Sequence, residues 1–463
     1  MSTIEQAPPP PDLTPGQPAR VLGLFDATCI VVGAIIGVGI FFTPSQVVRA
    51  THSGGLALLA WAIAGGIALC GALTFAALGR RYHASGAQYE IIRDAYGRAT
   101  GFVFVFCNAT AIQPGAIAII AIICARHIGF AATGTEPQGL ALGGLSAGLI
   151  AALMGANIAG VRWGSRIQNL TVIAKLATLA AVTGAAVLFA PDASTIHPMA
   201  PTTDAPTMTP TTAITAVMAA LVACFFAYGG WQHALWISGE VRQPGRNLPR
   251  AIVGGVLVVI VVYLLANWAY LRLLGPDGVA AEGALAARAA EAVVPRLGAR
   301  VIAGAVAVSA FGVLNAQFLS GPRLVFGMAA DGQFFGAFGR LGRRFGTPTA
   351  AILLLGIIAL ALLGPAVRDF DGVDRLLTGV VSVDSVFFGL TGAAVFVLAR
   401  RGGASVRSLG YPVVPLLFVV GEMGVVVGSF LNPAVRSAAI TGGIWIALAA
   451  VLYVVRFRQA RPT

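Results

Sequence analysis

Hydrophobic and polar positions divide the chain into long apolar blocks, nearly free of charge, separated by short polar joins. A bilayer core about 30 Å thick needs about 20 helical residues. Against that ruler the blocks predict helices over 24–49, 54–79, 99–126, 140–161, 167–190 and 211–239. The second half predicts 251–271, 299–322, 347–364, 375–399, 409–431 and 437–455. That is twelve, so the expected fold is an all-α membrane protein with both termini on one side. Residues 1–20 differ: they are polar, with prolines at 8, 9, 10, 11, 15 and 18, and no basic segment leads into a short apolar core. They read as a disordered tail, not a signal peptide.

Composition supports this and removes alternatives. Of 463 residues, 57% are hydrophobic and 10% charged, where a soluble domain averages about 25% charged. Glycine and proline are abundant but unrepeated, which excludes collagen and low-complexity disorder. The net charge of +12 is spread over short joins, whereas a nucleic-acid site needs a clustered basic face. No nucleic-acid partner is expected. With the N-terminus inside, 20 arginines fall on inner segments and 9 on outer ones. By the positive-inside rule both termini are expected in the cytoplasm. Cys29, Cys70, Cys107, Cys124 and Cys224 lie in or at the ends of apolar blocks, with no CxxC pair. They read as small buried hydrophobes, and neither a metal nor a cofactor is expected.

Two blocks carry glycine groups at mid-membrane. The first reads Gly33-Ala-Ile-Ile-Gly37-Val-Gly39-Ile-Phe-Phe-Thr-Pro44, and the sixth Phe225-Phe-Ala-Tyr228-Gly229-Gly230-Trp231. Scattered glycines mean close helix packing, but grouped ones lower the cost of unwinding a turn. Unwound backbone at membrane depth is tolerated only where it lines a protein cavity. The two groups are five helices apart, so helices 6–10 would repeat helices 1–5 upside down. Inverted repeats with broken first helices are the mark of secondary transporters whose site lies at the midplane.

Four stretches then resemble the amino acid–polyamine–organocation transporters, and most closely the L-type amino acid transporter branch with its bacterial exchanger relatives. They are GAIIGVGIF (33–41), FAYGGW (226–231) with GEVRQPGRNLPRAI (239–252), GSRIQNLTVIAKL (164–176), and Phe311-Gly312 with Asn315 and Arg323. The resemblance implies a LeuT-like fold with inverted repeats over about 21–191 and 205–400 in a ten-helix core, 21–400. Residues 401–463 would add helices 11 and 12 and a cytoplasmic tail. It also implies a site for the common part of an amino acid. There the N–H groups of Gly37, Val38 and Gly39 would meet the carboxylate, as free N–H groups at a half-helix N-terminus suit an anion. The carbonyls of Ile35, Phe226, Ala227 and Gly229 would meet the ammonium, and Phe226 would be the gate closing over it. Val38 and Val313 stand where relatives often carry hydroxyls, and Gln113 where the L-type branch often has arginine.

Lys175, the chain's lone lysine, lies inside an apolar block, where a cation is costly and is by default functional. In the resemblance it takes the place of a sodium ion in coupled relatives; the plain alternative is a lysine snorkelling to the interface. Asp26 reads as a helix cap. Asp384, Glu422 and His233 could carry protons or simply be satisfied packing partners. Residues 205–239 hold no carboxylate, whereas relatives that bind cationic amino acids or polyamines often place a glutamate there. The expected function is sodium-independent exchange or proton-coupled transport of neutral L-amino acids across the cell membrane, with cationic amino acids or polyamines as the second reading. An intramembrane enzyme would need HExxH, paired aspartates in facing helices, or a GxSxG-like nucleophile paired with a histidine, and a channel a filter repeat; no such constellation is found. The loop at 127–139 has no cysteine, so no disulfide-linked heavy chain is expected.

Overall fold

The first apolar block folds as two helices, α1 (Leu24–Ile35) and α2 (Gly39–Thr51), bent by 45°. The computed structural model of the chain describes residues 18–189, 197–281, 285, 298–402, 407–431 and 433–457. Within these, the side chains of residues 189, 226, 370–382 and 433–435 lie outside the described set. The expected tail over 1–20 therefore falls almost wholly outside it.

Ser53 caps α3 (Gly54–Gly79) by accepting from the Leu56 N–H, and Gly134, in the left-handed region, ends α6 (Gln113–Thr133). Between α3 and α6 lie α4 (Ala87–Tyr96), α5 (Arg98–Cys107) and a π-turn over Asn108–Ile112. Helix α4 is half polar and only ten residues long, so no apolar block announces it. Next come α7 (Gly139–Ile158) and α8 (Val161–Phe189). The sixth block begins at Thr209, which caps α9 (Pro210–Tyr228), and stops being helical at Gly229. The single turn α10 (His233–Trp236) and a 3-10 turn over Ser238–Glu240 follow. Then come α11 (Pro244–Ala280), kinked at Gly275, α12 (Gly298–Ser320), α13 (Pro322–Ala330) and α14 (Thr349–Arg368). The chain ends in α15 (Phe370–Arg400), α16 (Val413–Leu431) and α17 (Pro433–Leu452).

Within the described residues, ten helical runs are long and apolar enough to cross a membrane, and the bent pair α1–α2 makes an eleventh; the apolar part of α9, Pro210–Phe225, is shorter. Among the described residues there is no strand, only the isolated bridges Leu22–Val241 and Ser53–Pro201. Large side chains such as Leu170, Val187, Leu188 and Ile357 are exposed on the outside of the bundle, which suits a surface bathed by lipid.

The interior is built around α1. It packs on α8, α11 and α12, while α2 packs on α9 and α11. Helix α3 buries Ala57, Ala60, Ala64, Ala68 and Ala72, a small-residue face that lets α9 and α11 come close. Trp61 on that face meets the rings of Tyr228 and Tyr263 edge-on at 5.7 and 5.4 Å. At one end of the bundle, Ala200 accepts from the Gly54 N–H at 3.0 Å and His52 from the Thr202 N–H at 2.9 Å. Beside them the exposed Asp277 carboxylate accepts from the Thr203 hydroxyl at 2.7 Å and N–H at 2.8 Å, and these hydrogen bonds hold its pKa below the usual carboxylate value.

Candidate functional site

The two interrupted helices touch at their breaks. A Cβ on Gly230, whose φ is 131°, would stand 2.8 Å from the carbonyl carbon and oxygen of Ala34. Only glycine supplies both that backbone conformation and that approach. A Cβ on Gly39 would meet the Cα and Cβ of Ala227 at 3.6 Å, ordinary contact distance. The stretch Gly37-Val38-Gly39 of the first break thus lies against Ala227, next to Gly229 in the second. Among the described residues no side chain caps α2; the Phe41 N–H turns back to Val38 O at 3.1 Å, and the N–H groups before it lie at the partly positive end of the helix.

Ending α1 at Ile35 also strands carbonyl oxygens. Lys175 on α8, 1% exposed, supplies donors for them. Its Nζ donates to Gly33 O at 3.1 Å, Ile36 O at 2.6 Å and Ser309 O at 3.4 Å. Three acceptors match the three N–H groups of an ammonium. Such charge-assisted bonds are stronger than neutral ones. The snorkelling alternative is excluded, because the head group points to the α1 break and not to an interface. Ser309 on α12 joins the same cluster, its Oγ within 3.3 Å of Ile36 O and 3.1 Å of Gly37 O. Behind Lys175, the Asn315 amide donates to Gly164 O and to Gln168 Oε1, both at 2.9 Å, and its Oδ1 accepts from Asn157 at 3.1 Å. This network holds α8, α12 and α7 in register.

The Tyr263 hydroxyl lies 3.0 Å from both Ile35 O and Ala227 O, one carbonyl from each break. These two oxygens, expected to be free for an ammonium, thus already share a donor. Tyr263 and Ser309 were not singled out in the sequence: a tyrosine or serine in an apolar helix looks like packing, and their partners lie far away along the chain. Val313 packs against the α1–α2 break, its Cγ2 3.3 Å from where a Cβ on Gly37 would be. The side chain of the expected gate, Phe226, lies outside the described residues.

Asp26 does more than cap. It accepts from the Gly23 N–H at 2.9 Å, and also from Ser165 at 2.9 Å and Asn169 at 2.7 Å, tying α1 to α8. His233 bonds Ser320 of α12 and stacks obliquely near Trp236. Gln113 is buried, and its Oε1 has no hydrogen-bond partner among the described residues. Glu422 is buried on α16, its Cβ 3.7 Å from where a Cβ on Gly389 of α15 would stand. Glu240, at the end of the second break, is buried and bonded by Arg323, whose Nη2 donates to Oε1 at 3.0 Å and Oε2 at 3.3 Å and whose Nε donates to Oε1 at 3.2 Å. Among the described residues no cluster of three metal-ligating side chains occurs.

The comparisons with known proteins agree with this geometry. The chain is 30% identical over 457 residues to the serine/threonine exchanger SteT of Bacillus subtilis (strain 168), covering 95% of this chain and 98% of that one. It is 30% identical to the human large neutral amino acids transporter small subunit 2, over 86% of this chain and 74% of that one. The human b(0,+)-type amino acid transporter 1 is 28% identical, over 89% and 83%. The amino acid permease family matches residues 22–457. The chain is therefore a multi-pass amino acid transporter, not an enzyme, and belongs to the amino acid permease family of the amino acid–polyamine–organocation superfamily.

Proposed function

We propose that this transporter carries neutral L-amino acids by alternating access across the cell membrane, as an exchanger or proton-coupled permease, without sodium and with both termini cytoplasmic. The observation that carries this is Lys175, which donates to Gly33 O, Ile36 O and Ser309 O between the α1 break and α12. A fixed ammonium among those carbonyls does the work of a metal cation and repels a second one.

The substrate carboxylate lies on the N–H groups of Gly37, Val38 and Gly39. Its ammonium faces the carbonyls of Ile35, Phe226, Ala227 and Gly229, with Tyr263 turning its hydroxyl between two of them, and Phe226 closes over it. The architecture in this reading has twelve crossings, the broken α9–α10 counting as the sixth, with inverted repeats over about 21–191 and 205–400 and two further helices over 401–463. Counterpart packing supports the repeat: α3 lies on α11, α6 on α12 and α7 on α14, which are helices 2, 3 and 4 against 7, 8 and 9. The absence of any carboxylate from 205 to 239, and the neutralisation of Glu240 by Arg323, leave nothing on the second break to attract a cationic side chain. Two of the relatives, a serine/threonine exchanger and a large neutral amino acids transporter, support the same reading. With no cysteine in 127–139, a disulfide-linked heavy chain has no attachment point there.

Counterflow in proteoliposomes tests the substrate class. Vesicles preloaded with unlabelled serine, threonine or leucine should transiently accumulate the same amino acid in labelled form, and the corresponding arginine and putrescine pairs should not exchange. Counterflow with arginine or putrescine alone would overturn the neutral reading.

A further inference from the structure

At the end of the bundle where the N-terminal segment enters, a cavity of about 440 Å³ opens between three stretches of chain. Pro18, Ala19 and Val21 form one wall, the α7–α8 turn (159–163) a second, and the loop before α14 (341–347) the third. Both loops turn on glycines with positive φ, Gly160 at 144° and Gly346 at 64°, and open space surrounds both. Arg162 and Arg344 stand in the lining, and Arg166, Arg340 and Arg343 follow close in sequence. All five are exposed, and none makes an ion pair among the described residues. Neither 159–170 nor 338–350 contains an acidic residue. Glu240, which reaches the floor, is already neutralised by Arg323. The cavity therefore has a strongly positive rim over a balanced floor and suits an anion.

The same rim continues into the lipid-facing surface. Trp163, 56% exposed, packs its ring under Arg166, and Phe345, 44% exposed, lies under Arg344. Along α8, Trp163, Arg166, Leu170 and Ile173 fall at three- and four-residue spacing, and Leu170 and Ile173 are 69% and 55% exposed. Side chains at that spacing share one helix face. An apolar stripe thus runs from the arginines toward the membrane interior, where an acyl chain would lie.

We propose that this cavity is a binding site for the headgroup of an anionic phospholipid, held by Arg162 and Arg344, with its tail along Leu170 and Ile173. A free phosphate shares the headgroup chemistry but has no use for the stripe. Basic pockets at the ends of transmembrane helices recognise acidic headgroups in this manner. The site also joins the segment before α1 to loops from two other parts of the bundle.

Native mass spectrometry and thermal unfolding of the full-length protein in neutral detergent test it. The probes are dioleoylphosphatidylglycerol, dioleoylphosphatidylcholine and inorganic phosphate. Phosphatidylglycerol should be retained and should raise Tm, and the other two should do neither. In an Arg162→Gln/Arg344→Gln variant, phosphatidylglycerol affinity should fall roughly thirty-fold, at about 1 kcal/mol per arginine. Arg343→Gln, which removes a rim charge outside the lining, should weaken it less than Arg162→Gln or Arg344→Gln alone. Leu170→Gln, which leaves the arginines intact, should weaken retention of the lipid. Equal retention in wild type and the double variant would overturn the proposal, as would phosphate matching the phospholipid's effect.

Discussion

Tyr263 carries one hydroxyl proton and stands equally near Ile35 O and Ala227 O, so it satisfies one carbonyl at a time. Removing the hydroxyl in Tyr263→Phe loses one neutral hydrogen bond, a net effect of about 1 kcal/mol. KM for a neutral amino acid should rise about fivefold, with expression retained; an unchanged KM would remove Tyr263 from the substrate site. Ser309→Ala loosens Ile36 O and Gly37 O in the same way and should have an effect of similar size in uptake assays. Lys175 was legible in the sequence because a lone lysine in an apolar block has few explanations. Tyr263 and Ser309 were not legible, because a hydroxyl among apolar residues gives no local sign of which distant backbone it will meet.

The helix breaks make sharper predictions at the scale of elements. Gly230→Ala must adopt a φ of 131° and push a methyl against the Ala34 carbonyl at 2.8 Å. Such strain costs on the order of 1–3 kcal/mol before the clash is counted. Uptake should be lost and Tm should fall. Gly254→Ala, which meets nothing within 4 Å, should leave both within error. Gly39→Ala has room against Ala227 and should fold, whereas Gly39→Leu should abolish substrate binding; unimpaired binding by the leucine variant would move the carboxylate site elsewhere. These breaks were visible as glycine groups. The π-turn at Asn108–Ile112 and helix α4 were not, since neither changes the local hydropathy pattern enough to register. The bend of α1 against α2 was foreseeable, but the role of Asp26 in tying α1 to α8 depends on Ser165 and Asn169, whose approach only the packed bundle reveals.

For the molecule as a whole, Arg323 and Glu240 fasten the end of the second break to α12 and α13. Arg323→Ala leaves a carboxylate buried without its partner, which costs about 3–5 kcal/mol. Thermal unfolding in detergent should show a marked drop in Tm, and Arg323→Met/Glu240→Leu should recover most of it; a single variant as stable as wild type would contradict the pairing. The proposed orientation, with both termini cytoplasmic, rests on the arginine distribution. In a background free of native cysteines, a cysteine at exposed Thr135 should react with impermeant maleimide from outside, and one at exposed Arg343 only after permeabilisation. The reverse pattern would invert the protein in the membrane.

The decisive measurement is initial uptake of a transported neutral amino acid into proteoliposomes, by wild type and Lys175→Ala, in sodium and in choline. The Lys175 ammonium donates to Gly33 O, Ile36 O and Ser309 O, which in the proposed reading puts a fixed positive charge where a coupling cation would sit. Wild-type uptake should therefore be equal in the two salts. Lys175→Ala, expressed and correctly inserted, should lose at least about tenfold in rate, since it removes charge-assisted hydrogen bonds worth about 1.5–3 kcal/mol each. Sodium-dependent uptake by the wild type, or normal uptake by Lys175→Ala, would contradict the assignment of this lysine to the cation's place.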